Sequence, residues 1–165
     1  METVYLETSI VSYLVADPSR DLLTAANQQV TRDWWQHRQR RFACVISQEV
    51  IAEAGQGDPE QVRRRLAALA AIPRVAVSSD AEEIARLFLS TGALPPSAAR
   101  DAVHLAVATT IGTDFLLTWN CRHLANAQIL NRLERELQRT QRRLPRVCTP
   151  LELMGDLSYE TESDS

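Results

Sequence analysis

Three acidic residues stand far apart in the chain, each where an apolar run gives way to a helix: Glu7 in VYLETS, Glu53 in ISQEVIAEA and Asp101 in SAARDAVHLA. Carboxylates are hard oxygen donors. With few nitrogens and no thiolate cluster beside them, they suit Mg²⁺ or Mn²⁺ better than a softer metal. A cation held in this way activates water and neutralises charge developing on a phosphodiester. Glycoside hydrolysis, the other common use of paired acids, needs an aromatic-lined groove, and an aromatic content of 5% weighs against it.

Each acid also has a plainer reading. Glu7 directly follows an apolar strand and so belongs at its carboxyl end, where ligands of open α/β sheets bind; a first-turn helix acid or a surface ion pair would look the same. Glu53 lies beyond Ser47 on a short helix and shares a face with Glu49, so one of the two can face the sheet edge and the other water. Asp101 falls near the start of its helix, where backbone N–H groups and the helix dipole favour a carboxylate unaided. The rest of that helix is apolar on most sides, which sets the acid in a cleft. His104, one turn on, can face the same way, although a lone histidine reads as structural. Thr118, Trp119 and Asn120 close another apolar run and bring a hydroxyl and an amide to the same edge. Cys121 and His123 lack a partner set for zinc.

Short apolar strands alternate with helices along the chain. Strands are expected at 2–6, 42–46, 74–77 and 115–118, with a fifth at 146–148. Thr8 or Ser9 caps a helix to about Leu14. Leu22, Ala26, Val30 and Trp34 recur every four residues and mark an amphipathic helix to about Gln39. Ser47 opens the helix of Glu53, Asp58-Pro59 the next, with Val62, Leu66 and Leu69 inward. Ser79 or Asp80 caps a helix that buries Ile84, Leu87 and Phe88, and Ser97 caps one over 98–110. Residues 126–143 read as a helix with Leu130, Leu133 and Leu137 inward, and Pro150 starts a last turn. This alternation argues for a parallel sheet covered on both faces. The expected organisation is one domain over 1–154 and an acidic, disordered tail over 155–165.

The chain has 165 residues and a net charge of −3. Five acids and no base lie in 151–165, so the rest is mildly basic, which is weak support for an anionic partner. All 18 basic residues are arginine. A P-loop lysine, a Schiff-base lysine and the lysine of phospho-acceptor receiver domains are therefore excluded, while arginine suits phosphate backbones. Cys44, Cys121 and Cys148, odd in number and without CxxC spacing, read as reduced thiols. With no membrane span and no signal-peptide layout, the expected location is the cytoplasm.

YLETS, SQEVIAE, ARDAVHLA and LLTWN, in this order and spacing, resemble the PIN-domain nucleases, and most closely the VapC-like toxins of toxin–antitoxin systems. The resemblance covers roughly residues 3–150. It implies a three-layer α/β/α sandwich with a central, mainly parallel sheet of four to five strands, and Mg²⁺- or Mn²⁺-dependent cleavage of RNA by activated water. The family's four acidic positions fall on Glu7, Glu53, Asp101 and Asn120, of which the first three would hold the metal. Thr118 would orient the cluster, Thr8 or Ser9 would hydrogen-bond the site or a phosphate, and Arg100 and Arg122 at the rim would bind the RNA backbone. Arg63 to Arg65 read as a solvated helix face. Two departures stand out. Glu7 is one methylene longer than the usual aspartate, and Asn120 keeps an oxygen but loses a charge, so a second metal should bind more weakly. The alternative is a PIN-like RNA-binding or regulatory protein with weak or no catalysis. The resemblance also implies an antitoxin partner and a homodimer, for which the helix of Trp34 and Trp35 offers a surface if those tryptophans are not core.

Overall fold

The computed structural model describes residues 1–155; of the expected tail over 155–165, all but Gly155 lies outside the described residues. Five strands, β1 (Thr3–Leu6), β2 (Ala43–Ser47), β3 (Arg74–Val75), β4 (Phe115–Leu117) and β5 (Arg146–Cys148), form one sheet. Its order is β3-β2-β1-β4-β5 and every pairing is parallel. Val4, Tyr5 and Leu6 are buried as a continuous run, as a central strand covered on both faces requires. The chain builds β1, β2 and β3 outward in one direction, then returns to lay β4 on the other side of β1. The order therefore reverses between β1 and β4, and in open α/β sheets the crevice beyond such strand ends is where ligands bind.

Among the described residues seven α-helices cover the sheet: α1 (Thr8–Val15), α2 (Leu22–His37), α3 (Gln48–Ala54), α4 (Pro59–Leu69), α5 (Ser79–Ser90), α6 (Ala99–Ile111) and α7 (Ala127–Leu137). α1 packs on α2 and α4, α5 packs on α6 and α7, and α3 touches both α4 and α6. The result is the expected three-layer α/β/α arrangement. Gly112, with φ 73°, ends α6 in the left-handed conformation that glycine adopts without a Cβ penalty. The turn it makes carries the chain to Asp114, whose carboxylate accepts from the Thr3 backbone N–H at 2.7 Å and so sets β4 beside β1.

Tertiary partners moved several details away from expectation. α2 does not bury the Leu22/Ala26/Val30/Trp34 stripe along its length. Leu22 and Leu23 are 86% and 72% exposed, and the buried residues are Gln28, Thr31 and Trp34. The two polar ones go inside because each finds partners there. Gln28 accepts from Ser19 N–H and donates to the Asp17 carbonyl, while Thr31 Oγ1 accepts from Trp119 Nε1 and donates to the Asn27 carbonyl. Trp34 is core, stacked on Phe42, and Trp35 is partly buried against the core. β3 is shorter than 74–77, α7 gives way to a 3₁₀ turn before Thr140, and Leu66 on α4 is exposed. Arg63 lies exposed beside Glu60, but Arg64 and Arg65 reach Asp17 and the carbonyls of Ala54 and Gln56, tying α4 to neighbouring turns. Cys44, Cys121 and Cys148 are free thiols; burial raises Cys44 to about 11 and Cys148 to about 12. Among the described residues no helix is long and apolar enough to cross a membrane.

The helix caps changed too. Glu7, not Thr8 or Ser9, caps α1, accepting from Ser9 N–H; Ser78 caps α5, accepting from Ala81 N–H; and α6 has no side-chain cap, with Ser97 in a preceding 3₁₀ turn. A lost serine cap costs about 1 kcal/mol. Urea denaturation should therefore find Ser78→Ala destabilised by about that amount, and Ser97→Ala unchanged within about 0.5 kcal/mol.

Candidate metal centre

The end of β1 delivers Glu7 to the switch point, and the backbone locks it there: Glu7 N–H donates to the Leu117 carbonyl at 3.0 Å. Glu7 is only 6% exposed, and a buried carboxylate needs donors around it. Ser9 Oγ donates to Oε1 at 2.5 Å and Thr118 Oγ1 donates to the same oxygen at 2.6 Å. Ser9 N–H reaches Oε2 at 3.1 Å. Both hydroxyls are themselves oriented by backbone donors, Trp119 N–H to Ser9 Oγ at 2.8 Å and Asn120 N–H to Thr118 Oγ1 at 2.9 Å. Two amides at the end of β4 thus polarise two hydroxyls onto one carboxylate oxygen. A carboxylate offers about four acceptor positions, and the one left over lies on Oε2.

α3 supplies the second acid. Glu53 faces inward, its Oε1 taking a bond from Thr8 Oγ1 at 3.3 Å and another from His104 Nε2, while Glu49 pairs with Arg100 at 3.6 Å. That division between the two glutamates is the one their shared face allowed. Both bonds to Glu53 fall on Oε1, so Oε2 is the oxygen available to a cation. Burial pushes the Glu53 carboxyl up, but the His104 hydrogen bond and charge, with Arg100 and Thr8, outweigh it and hold it below the usual range. His104 is fully buried; burial pushes it down, and the bond to Glu53 with the charges of Glu7, Glu53 and Glu49 carry it net upward. One ligand atom each from Glu7, Glu53 and His104 lies within 4.8 Å of the others.

Asp101 is not in that grouping. It lies one turn before His104 on α6, and its Oδ2 pairs with His123 Nδ1 at 3.0 Å. Asn120 has a local task, its Oδ1 accepting from His123 N–H at 3.0 Å in the turn after β4. Arg100 reaches Gln56 as well as Glu49, and Arg122 is exposed. Sequence reasoning left His104 as a structural residue and gave His123 no role; their pairing with Glu53 and Asp101 is across elements, and only the i, i+3 spacing of Asp101 and His104 hinted at it. The donors present, carboxylate oxygens with one imidazole nearby, fit a hard divalent cation. A wide groove elsewhere, lined by Asp114, Arg142, Arg143 and Leu144 at the opposite edge of β4 and β5, contains none of these acids.

Two solved structures share this fold. VapC20 of Mycobacterium tuberculosis, a sarcin-ricin loop cleaving toxin, superposes with a TM-score of 0.55 at 19% identity, over 73% of this chain and 92% of its own. A chain of VapBC2 from Rickettsia felis, solved bound to a DNA fragment from their promoter, superposes with a TM-score of 0.59 at 15% identity, over 89% of this chain and 98% of its own. No family profile and no curated protein matches the sequence. At these identities the likeness establishes the architecture, the PIN-like α/β/α fold of VapC toxins.

The opposed shifts of Glu53 and His104 set a pH window for the metal-free protein. The Glu53 contribution is present above the ordinary carboxylate value and is lost as pH falls through its lowered one. The His104 contribution is full below the ordinary imidazole value and is lost as pH rises through its raised one. In an NMR titration His104 should titrate above about 6.5, and Glu53→Gln should bring it down; a His104 transition unmoved by that substitution would dissolve the pair. At Glu7, Thr118→Val should destabilise the protein by about 1–3 kcal/mol, because Glu7 loses a donor and Asn120 N–H an acceptor. Thr118→Ser, which keeps the hydroxyl, should stay near wild type in the same denaturation series.

Proposed function

We propose that the protein is a divalent-metal-dependent endoribonuclease, the toxin of a toxin–antitoxin pair. The observation that carries this reading is the convergence of Glu7 and Glu53, from different elements, at the switch point of a fold shared with VapC20, a sarcin-ricin loop cleaving toxin. Glu7 and Glu53 offer Oε2 to the cation, and Asp101, on the helix beside them, completes the ligand set. Mg²⁺ or Mn²⁺ bound there would polarise both the attacking water and the scissile phosphate. Ser9, Thr118 and Thr8 hold the carboxylates. A carboxylate beside the metal would accept the proton from water. Arg100 and Arg122 at the rim bind the RNA backbone. Asn120 contributes at most a neutral oxygen, which favours one tightly held metal over two.

The partners that go with this reading are RNA, an antitoxin chain and a second copy of this chain. Leu22 and Leu23, exposed at the start of α2, offer apolar surface for the protein partners. The single domain over 1–154 and a cytoplasmic location belong to the same reading. A second reading, an RNA-binding protein without catalysis, draws on the engagement of Asn120 Oδ1 by the His123 turn.

Purified protein with RNA and Mn²⁺ should yield cleavage that EDTA removes. Glu7→Gln, Glu53→Gln and Asp101→Asn should each reduce it by about a hundredfold or more, at or beyond the upper end of the 10–100-fold typical of residues behind the ligands. Equal cleavage by Asp101→Asn would remove Asp101 from the site. Salt-sensitive RNA binding with no cleavage would select the second reading.

A further inference from the structure

Behind Glu53 runs a buried chain that the reaction outlined above does not use. Ser47 Oγ and the Tyr5 hydroxyl lie 2.6 Å apart, and the Tyr5 hydroxyl is 2.7 Å from His104 Nδ1. His104 Nε2 then meets Glu53 Oε1. Ser47, Tyr5 and His104 are all fully buried and come from the end of β2, the middle of β1 and α6. Ser47 occupies the cap position of α3, yet its hydroxyl makes no cap bond there. It turns to Tyr5 instead.

Proton counting gives this chain a direction. Glu53 is a carboxylate and only accepts, so the proton between it and His104 sits on Nε2. In the neutral imidazole Nδ1 is then bare and accepts the Tyr5 O–H, and the phenol oxygen accepts from Ser47 Oγ. In the imidazolium Nδ1–H donates to the phenol, and the phenol donates to Ser47. Both arrangements present Nε2–H to Glu53 Oε1. Without the Tyr5 hydroxyl, Glu53 still calls for Nε2–H, but Nδ1 loses its partner in a fully buried site and the ring is no longer held from that side.

We propose that Tyr5 and Ser47 are positioning residues: through His104 they hold Glu53 with Oε1 engaged and Oε2 turned to the cation, and His104 stands behind the metal instead of ligating it. This rests on the metal-centre reading given under Proposed function. Partners that fix a side chain behind a ligand are commonly worth 10–100-fold in metal affinity.

The test uses Tyr5→Phe, which keeps the ring and removes the hydroxyl, and Ser47→Ala, which leaves the Tyr5–His104 bond in place. Long-range ¹H–¹⁵N spectra of the metal-free protein, recorded above the His104 transition, should place the proton on Nε2 in wild type and Tyr5→Phe alike, with the Nδ1 shift of Tyr5→Phe moved to that of a nitrogen without a hydrogen-bond donor. Calorimetry with Mn²⁺ should give about 10–100-fold weaker binding for Tyr5→Phe and a smaller loss for Ser47→Ala, with circular dichroism showing both folded. Electron spin-echo spectra of bound Mn²⁺ should lack the coupling of a directly bound nitrogen. If Tyr5→Phe does not fold, Ser47→Ala carries the comparison. An Nδ1 shift unchanged in Tyr5→Phe, equal Mn²⁺ affinity in the folded variants, or a directly coordinated nitrogen would each overturn the proposal. Failure of the wild type to bind Mn²⁺ would overturn the metal-centre reading instead, and the Nδ1 comparison would still decide whether Tyr5 holds His104.

Discussion

One buried charge organises this molecule. The Glu7 carboxylate sits where the sheet order reverses, almost out of reach of water, and accepts hydrogen bonds from the hydroxyls of Ser9 and Thr118. An unpaired buried charge is costly enough that a chain either neutralises it or builds donors around it. Here the donors come from the first turn of α1 and the end of β4, and the backbone amides of Trp119 and Asn120 stand behind them. The relative placement of β1, α1 and β4 is thereby tied to one side chain, and the Glu7–Leu117 backbone bond fixes the same junction.

The other acids follow the same logic with different partners. Carboxylates brought close repel unless something positive or donating comes with them. Glu53 arrives with Thr8 and His104, and Asp101 with His123. Each acid therefore has an internal partner, and each keeps acceptor capacity, on Oε2 of Glu7, which takes a single bond, and on the oxygens of Glu53 and Asp101 opposite their histidine contacts. Folded without a cation, the cluster is stabilised by histidines and hydroxyls; with one, the remaining acceptor positions would supply the ligands. The extra methylene of Glu7 relative to aspartate is absorbed by the chain itself, since the carboxylate folds back to cap α1 through Ser9 N–H.

The strand ends were legible in the sequence because buried parallel strands read as short apolar runs, and VYL, CVIS and FLLT stand out from their surroundings. The sheet and the positions of Glu7, Glu53 and Thr118 followed. The caps were less legible because serine and threonine crowd the helix starts, and propensity alone cannot say which hydroxyl turns back to its own helix. Ser47 turns to Tyr5 and Ser9 to Glu7, both choices made by residues far along the chain. The inner face of α2 was misread for a related reason. A four-residue apolar spacing marked Leu22 and Ala26, but Gln28 and Thr31 go inside because Ser19, Asp17 and Trp119 offer them hydrogen bonds. His104 carried only its one-turn spacing from Asp101 and His123 carried no local signal, and their partners became visible only when α3, α6 and the turn after β4 were brought together.

The most direct measurement is the position of Mn²⁺ in crystals of the protein, read from its anomalous scattering. The account predicts one strong peak at the carboxyl ends of β1 and β4, within bonding distance of Glu7 Oε2 and Glu53 Oε2, with His104 Nε2 outside the coordination sphere. At saturating Mn²⁺, the lack of a peak there, or a peak bound by other residues, would contradict it.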